Sequence, residues 1–257
     1  MSFIDSIVNV GKSALGFMKG NSIASSLART ALLGYALNRV NKSKNKSNKD
    51  TAPQGTQLNI DPDTEYSLPV VYGNAFISGK IIDAKLADNN TAMWICLALC
   101  EKTGRLISTA PSVISFEEIF FDNFRISFQT DGITSDLIYD DNGNSSSAWR
   151  GKIKVYPFNG GSESPTTFTS ESGNGNSQNA YNIFPGWTST DKMNDTVFCI
   201  LRIQYDSKNR LTTIGRDIKF KLKNTLTEPG DVLYDYLTNN RYGAGIPAAE
   251  INVQWQH

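Results

Sequence analysis

A chain of 257 residues is long enough to bury a substantial core, as one large or two small domains. Its 25 Lys plus Arg balance 25 Asp plus Glu, so no global field draws it to nucleic acid or anionic lipid. Cys96, Cys100 and Cys199 all lie inside apolar runs. An odd count in that setting fits reduced, buried thiols rather than a disulfide scaffold, and the Cys-x-x-x-Cys pair without a nearby His is a poor zinc site.

Residues 1–40 read as two helices broken near Gly20 to Ser22, a helical N-terminal extension. Ile4, Ile7, Val8 and Leu15 lie on one apolar stripe; Ile23, Leu27 and Leu37 lie on another. Lys12, Lys19, Arg29 and Arg39 interrupt the region, so no stable membrane insertion is expected, and Phe3-Ile4-Asp5 is no secretory leader. The chain is expected to be made in a cytoplasm. Residues 41–57, with Lys42, Lys44, Lys46 and Lys49, form a polar tether. A helical pair on such a tether is expected to dock on a neighbouring subunit through the seven apolar residues just named.

From residue 58 the chain turns strand-like, a mainly β body. LPVVYGNAFISGK at 68–80 predicts a buried strand through Val70 and Val71, closed by Gly73, with a second strand over 80–83. Strands are expected in MWICLALCE at 93–101, IFFDNFRISF at 119–128, KIKVY at 152–156 and TVFCILRIQY at 196–205. Residues 140–147 and 159–178 are too polar to build a core and read as long surface loops. In 214–224 a basic cluster runs through Arg216, Lys219, Lys221 and Lys223; Lys219, Lys221 and Lys223 share one strand face while Ile218, Phe220 and Leu222 line the other. That basic face is either solvated or meets an acidic neighbour or passing DNA, a non-specific contact. Thr227, Glu228 and Pro229 open a short amphipathic helix with Val232, Leu233, Tyr236 and Leu237 at helical spacing, ended beyond Asn239-Asn240 by Gly243, Gly245 and Pro247.

Catalytic chemistry is not expected. His257 is the sole histidine and the last residue, which removes the base from Ser-His-Asp and Cys-His schemes. Glu117 and Glu118, adjacent on a strand, should point to opposite faces, and Asp140-Asp141 sits in a turn. The 141–145 loop lacks the spaced acids of a calcium loop, and Gly160-Gly161 and Gly173 to Gly175 lack the lysine and helix of a phosphate cradle. Neither cofactor nor metal is expected.

The segment 68–79, the run 93–101, the run 196–205 and the stretch DVLYDYLTNNRYGAGIP at 231–247 occur in an order that resembles the N-terminal hub region of the phage tail-tip attachment and central tail-hub protein family. The likeness spans roughly residues 58–251. It implies tandem small β-barrel or sandwich domains, with 58–110 and 196–257 forming a hub domain, 111–195 an inserted β domain, and one short C-terminal helix. It also implies a virion structural protein, trimeric in the tail. The implied partners are the distal tail tube protein, the tape-measure terminus and peripheral baseplate or fibre proteins. The motif residues it singles out as structural are Tyr72, Gly73, Tyr236, Arg241, Tyr242, Gly243, Gly245 and Pro247. Family members continue into receptor-binding modules, so the expected role here is that of an adaptor. A different reading comes from Trp94, Trp149, Trp187 and Trp255: a virion surface carbohydrate-binding module. Because Trp94 sits in an apolar run, this reading rests on Trp149 and Trp187.

Overall fold

In the computed structural model of the chain, residues 67–104, 112–171, 173–211 and 217–251 are described. The stretches 1–40 and 41–57, and with them Ile4, Ile7, Val8, Leu15, Ile23, Leu27 and Leu37, lie outside these residues, as do Arg216, Trp255 and His257. The described residues belong to one unit, Gly55–His257. In chain order its strands are β1 (Asn74–Ser78), β2 (Lys80–Ala87), β3 (Ala92–Glu101), β4 (Ile114–Phe121), β5 (Phe124–Phe128), β6 (Ser135–Tyr139), β7 (Ser145–Ser146) and β8 (Ile153–Asn159). The short helix α1 (Ala180–Ile183), β9 (Thr196–Gln204), β10 (Ile218–Asn224) and the helix α2 (Pro229–Thr238) follow.

The runs at β3 and β9 lack the polar alternation of a half-exposed strand, and their position accounts for it. They pair antiparallel at the centre of a four-stranded sheet ordered β2-β3-β9-β8. One face, through Ile95, Leu97, Leu99, Cys199 and Leu201, packs on the second sheet. The other, through Cys96, Phe198 and Ile200, is covered by α1 and Phe184. A strand buried on both faces stays apolar throughout. Here the rings of Phe158 and Phe198 stack at 4.6 Å, nearly parallel. Pro157 is accommodated because β8 is an edge: its carbonyl points away from β9 to accept from Thr166 N at 3.1 Å, so no ladder donor is missing.

The second sheet is ordered β1-β10-β4-β5-β6-β7, again all antiparallel. Its inner face supplies Phe116, Phe121, Phe220 and Leu222 to the shared core. The fold is therefore mainly β, two sheets packed face to face with few helices. The run 119–128 is not one strand but two, folded at a two-residue turn where Asp122 adopts φ +53°.

The expected boundary between a hub domain and an inserted domain does not survive the pairing. β10 pairs with β4, β9 pairs with β8, and residues of both stretches fill one core. The stretch 111–195 contributes strands to both sheets and is not a separate body. Glu117 and Glu118 also depart from expectation. Opposite them the register shifts between Lys221 and Leu222, so β4 carries an extra residue and both carboxylates reach Lys221 Nζ, at 3.1 and 3.4 Å.

The polar stretch 159–178 is not a free surface loop. Phe168, 1% exposed, inserts into the core with its ring 5.6 Å from Phe116 and 5.0 Å from Phe128. Thr169 N donates to Phe116 O at 2.8 Å. Gly175 N donates to Asp131 O at 3.0 Å. The backbones meet so closely there that a Cβ on Gly132 would lie 2.6 Å from Gly175 N. One aromatic ring and a glycine contact hold down a segment whose average composition is polar. Phe168→Ala is expected to destabilise the body by about 3–5 kcal/mol through the cavity it leaves, measured by urea denaturation.

Candidate functional site

Residues 67–73 form a strap across one end of the sandwich rather than the expected strand. Val70 makes only a single bridge to Glu101, and Pro69 O accepts from Glu101 N at 2.9 Å, which ties the strap to β3. Gly73, at φ +67°, turns the chain to the other sheet: its N donates to Leu226 O at 3.0 Å and its O accepts from Asn224 N at 2.8 Å. Asn224 is buried and fully used. Its Nδ2 donates to Val71 O at 2.6 Å and to Thr103 Oγ1 at 3.0 Å, and its Oδ1 accepts from Leu226 N at 3.0 Å.

α2 begins where its punctuation predicts, with Pro229 in the first turn, but ends at Thr238 with Asn239 as its cap, short of the expected run through Asn239-Asn240. Its inward face is different from expectation. Leu233 and Tyr236 are 40% and 51% exposed, and the only buried residue of the helix is Asp235, at 2%. Asp235 Oδ2 accepts from Tyr72 OH at 2.9 Å and from Tyr242 OH at 2.6 Å, and Oδ1 accepts from Gly104 N at 2.8 Å. A Cβ on Gly104 would stand 2.4 Å from that oxygen, so the contact requires glycine. Burial, then the hydrogen bond to Asp235 and its negative charge, raise both phenols well above the usual tyrosine range.

The turn after α2 folds back on the helix. Ala244 N donates to Tyr236 O at 2.8 Å and Ile246 N to Leu237 O at 2.7 Å, while Asn239 Oδ1 accepts from Arg241 N at 2.8 Å. Gly243 lies against the last helical carbonyls, where a Cβ would fall 1.9 Å from Tyr236 O. Gly245 takes φ +66°, and Pro247 leads into a 3₁₀ turn at Ala248–Glu250. Arg241 fastens the turn to the central strands: Nε lies 2.6 Å from Glu101 Oε2, Nη1 donates to Asn194 O at 3.0 Å, and Nη2 to Thr196 Oγ1 at 3.4 Å.

Six of the eight motif residues, Tyr72, Gly73, Arg241, Tyr242, Gly243 and Gly245, thus converge on one tie between the strap, the helix turn and both sheets. Tyr236 and Pro247 stand outside it. Asp235, Asn224, Glu101 and Gly104 were not singled out from sequence. Tyr242 lies in the turn past the end of α2, so helical spacing from Asp235 gave no signal for the pair.

The carboxylate of the tie has its donors supplied from within the chain, and among the described residues no group of His, Cys, Asp and Glu could hold a metal ion. The three cysteines are buried and free, with burial pushing the Cys100 thiol up to about 12 and those of Cys96 and Cys199 higher than usual. On the basic strand, Lys219 pairs with Asp217 at 2.6 Å and Lys221 with Glu117 and Glu118, so those charges are met locally. Trp149, expected to be exposed for stacking on sugars, is instead core: 4% exposed, packed edge-on to Phe124, its Nε1 donating to Asn209 O at 3.1 Å. Trp187 is half-buried and donates through Nε1 to Asp83 Oδ2 at 2.9 Å. Asp140 accepts from Asn142 N and Asn144 N at 3.0 and 2.8 Å, a self-contained turn. Among the described residues no helix is long and apolar enough to cross a membrane. Compared with known protein families and with curated proteins, the chain finds no match.

Asp235→Ala is expected to cost at least about 3 kcal/mol, since it strands three donors at once, and Gly243→Val to lower the melting temperature as well. Alkaline titration gives a further check. The two phenols stay protonated in the folded chain, whereas in the unfolded chain they ionise from about pH 10. Above that pH the unfolded state binds fewer protons, so stability is full below about pH 10 and falls as pH rises beyond it. The Tyr72→Phe, Tyr242→Phe double variant is expected to flatten that fall in denaturant midpoints measured against pH.

Proposed function

We propose that the chain is a structural component of a tailed-phage virion, a central hub or tail-tip adaptor that closes the distal end of the tail tube. The observation that carries the reading is the ordered set of four motifs at 68–79, 93–101, 196–205 and 231–247. Their separation along the chain has a physical rationale in the tie at Asp235 and Arg241, to which each of the four contributes a residue: Tyr72, Glu101, Thr196 and Tyr242. Residues that hold one corner together are an expected signature of a scaffold, not of a catalyst. The exposed Leu233 and Tyr236 on α2 add apolar surface where a neighbouring tail protein would sit.

On this reading three copies surround the tail axis and contact the distal tube protein, the tape-measure terminus and peripheral baseplate or fibre proteins, with residues 1–40 as an assembly segment. Electron cryomicroscopy of the intact virion tail tests it: three copies at the tip are expected, and six copies, or none, would reject it. Leu233→Asp with Tyr236→Asp is expected to leave melting of the isolated body unchanged while preventing its incorporation into tails. Deletion of 1–40 is expected to have the same two effects.

A further inference from the structure

The chain carries three Asn-Gly pairs, at 142–143, 159–160 and 174–175. In such a pair the glycine nitrogen can close a five-membered ring on the side-chain carbonyl carbon of the asparagine, and a glycine, lacking a Cβ, leaves that attack unhindered. The reaction needs a backbone free to bring nitrogen and carbon together. The fold grants that freedom to one pair and denies it to the other two.

Asn159 ends β8, in register with Val197, and its Nδ2 donates to Ile114 O at 2.6 Å while its Oδ1 is buried. The Lys102 side chain lies over Gly160, so that a Cβ there would overlap it. At the third pair, Gly175 N donates to Asp131 O at 3.0 Å and Asn174 N to Thr130 O at 3.3 Å, which ties both residues to a separate stretch of chain. A Cβ on Gly175 would overlap Thr167. Neither glycine nitrogen can swing onto its asparagine without breaking contacts to another segment.

Asn142 and Gly143 are both exposed, at the tip of the turn from β6 to β7. The Asn142 side-chain amide makes no hydrogen bond among the described residues. A Cβ on Gly143, at φ +80°, would meet nothing within 4 Å. What holds this pair is local: Gly143 N donates to Asp140 O at 2.9 Å and Asn142 N to Asp140 Oδ1 at 3.0 Å. Opening so short and exposed a turn disturbs no packing, so it reaches the reactive geometry while the rest of the chain stays folded.

We propose that Asn142-Gly143 is a site of spontaneous deamidation in the folded protein. Gly143 N loses its proton and bonds to Asn142 Cγ; the Cγ–Nδ2 bond breaks, and Nδ2 takes up protons and leaves as ammonia. Water then opens the resulting succinimide at either carbonyl, which leaves aspartate or isoaspartate at 142. The product sets a third carboxylate beside Asp140 and Asp141, a like-charge repulsion, and the isoaspartate form also adds a methylene to the backbone. Both changes work against the short pairing of Ile138 with Ser146 and Tyr139 with Ser145 that holds β7 at the edge of its sheet. The site goes beyond the assembly role and stands independently of it.

Incubation of the full chain in mildly alkaline buffer tests the proposal, read by peptide mapping with mass spectrometry and by enzymatic methylation of isoaspartate. Asn142 is expected to convert, with isoaspartate among its products, while Asn159 and Asn174 keep their amides. In urea, which removes the fold, all three pairs are expected to react. Asn142→Gln is expected to remove most of the methylatable isoaspartate from the folded chain; the residue is exposed and outside the core, so that variant keeps the body intact. An Asn142 that stays an amide in the folded chain, Asn159 or Asn174 reacting as fast as Asn142, or aspartate at 142 without isoaspartate overturns the proposal.

Discussion

A single buried carboxylate organises one end of this molecule. Asp235 draws a hydroxyl from the strap, a hydroxyl from the turn after α2 and an amide from the end of the β3 segment to two oxygen atoms. Hydrophobic burial explains little of this corner: within the strap only Val71 reaches the core, α2 buries no apolar side chain, and the turn is built on glycines. A charge without water is costly unless every lone pair is answered. That cost makes the arrangement specific, because any other docking of α2 would leave the carboxylate short of donors. Arg241 repeats the logic from the rim, meeting Glu101 and the backbone before β9.

Much of the architecture was legible in the sequence because it rests on local rules. The start of α2 followed from Pro229, and the strands of the central pair followed from their apolar runs. What failed was everything that depends on partners remote along the chain. A boundary at 110 looked reasonable from motif positions, yet Ile114 to Phe121 pairs with Ile218 to Asn224, about 100 residues on. The extra residue at Glu117 is invisible without the opposing strand. Phe168 hid inside a polar stretch because composition averages over neighbours, while a core is filled one side chain at a time.

The tie itself was half legible. Its glycines and tyrosines stood out as a motif, but the residue they serve did not, since an aspartate between leucines and tyrosines reads as the solvent side of an amphipathic helix. The inversion has a plain cause. Hydrophobic periodicity predicts which face is buried only where burial is driven by apolar area, and here α2 is drawn in by hydrogen bonds. The outward Leu233 and Tyr236 follow directly from that reversal.

The pairing of β3 with β9 also governs how this chain must be made. The most apolar strand of the molecule emerges from the ribosome long before its central partner, with Ala92 waiting for Gln204 and Glu101 for Thr196. At elongation rates of ~5–20 residues per second, a gap of about 100 residues leaves a naked β-edge for roughly 5–20 s. Only β2, its hairpin neighbour, can shield one side during that interval. Slowed translation within 102–195 would lengthen the period in which this edge can pair with the wrong strand.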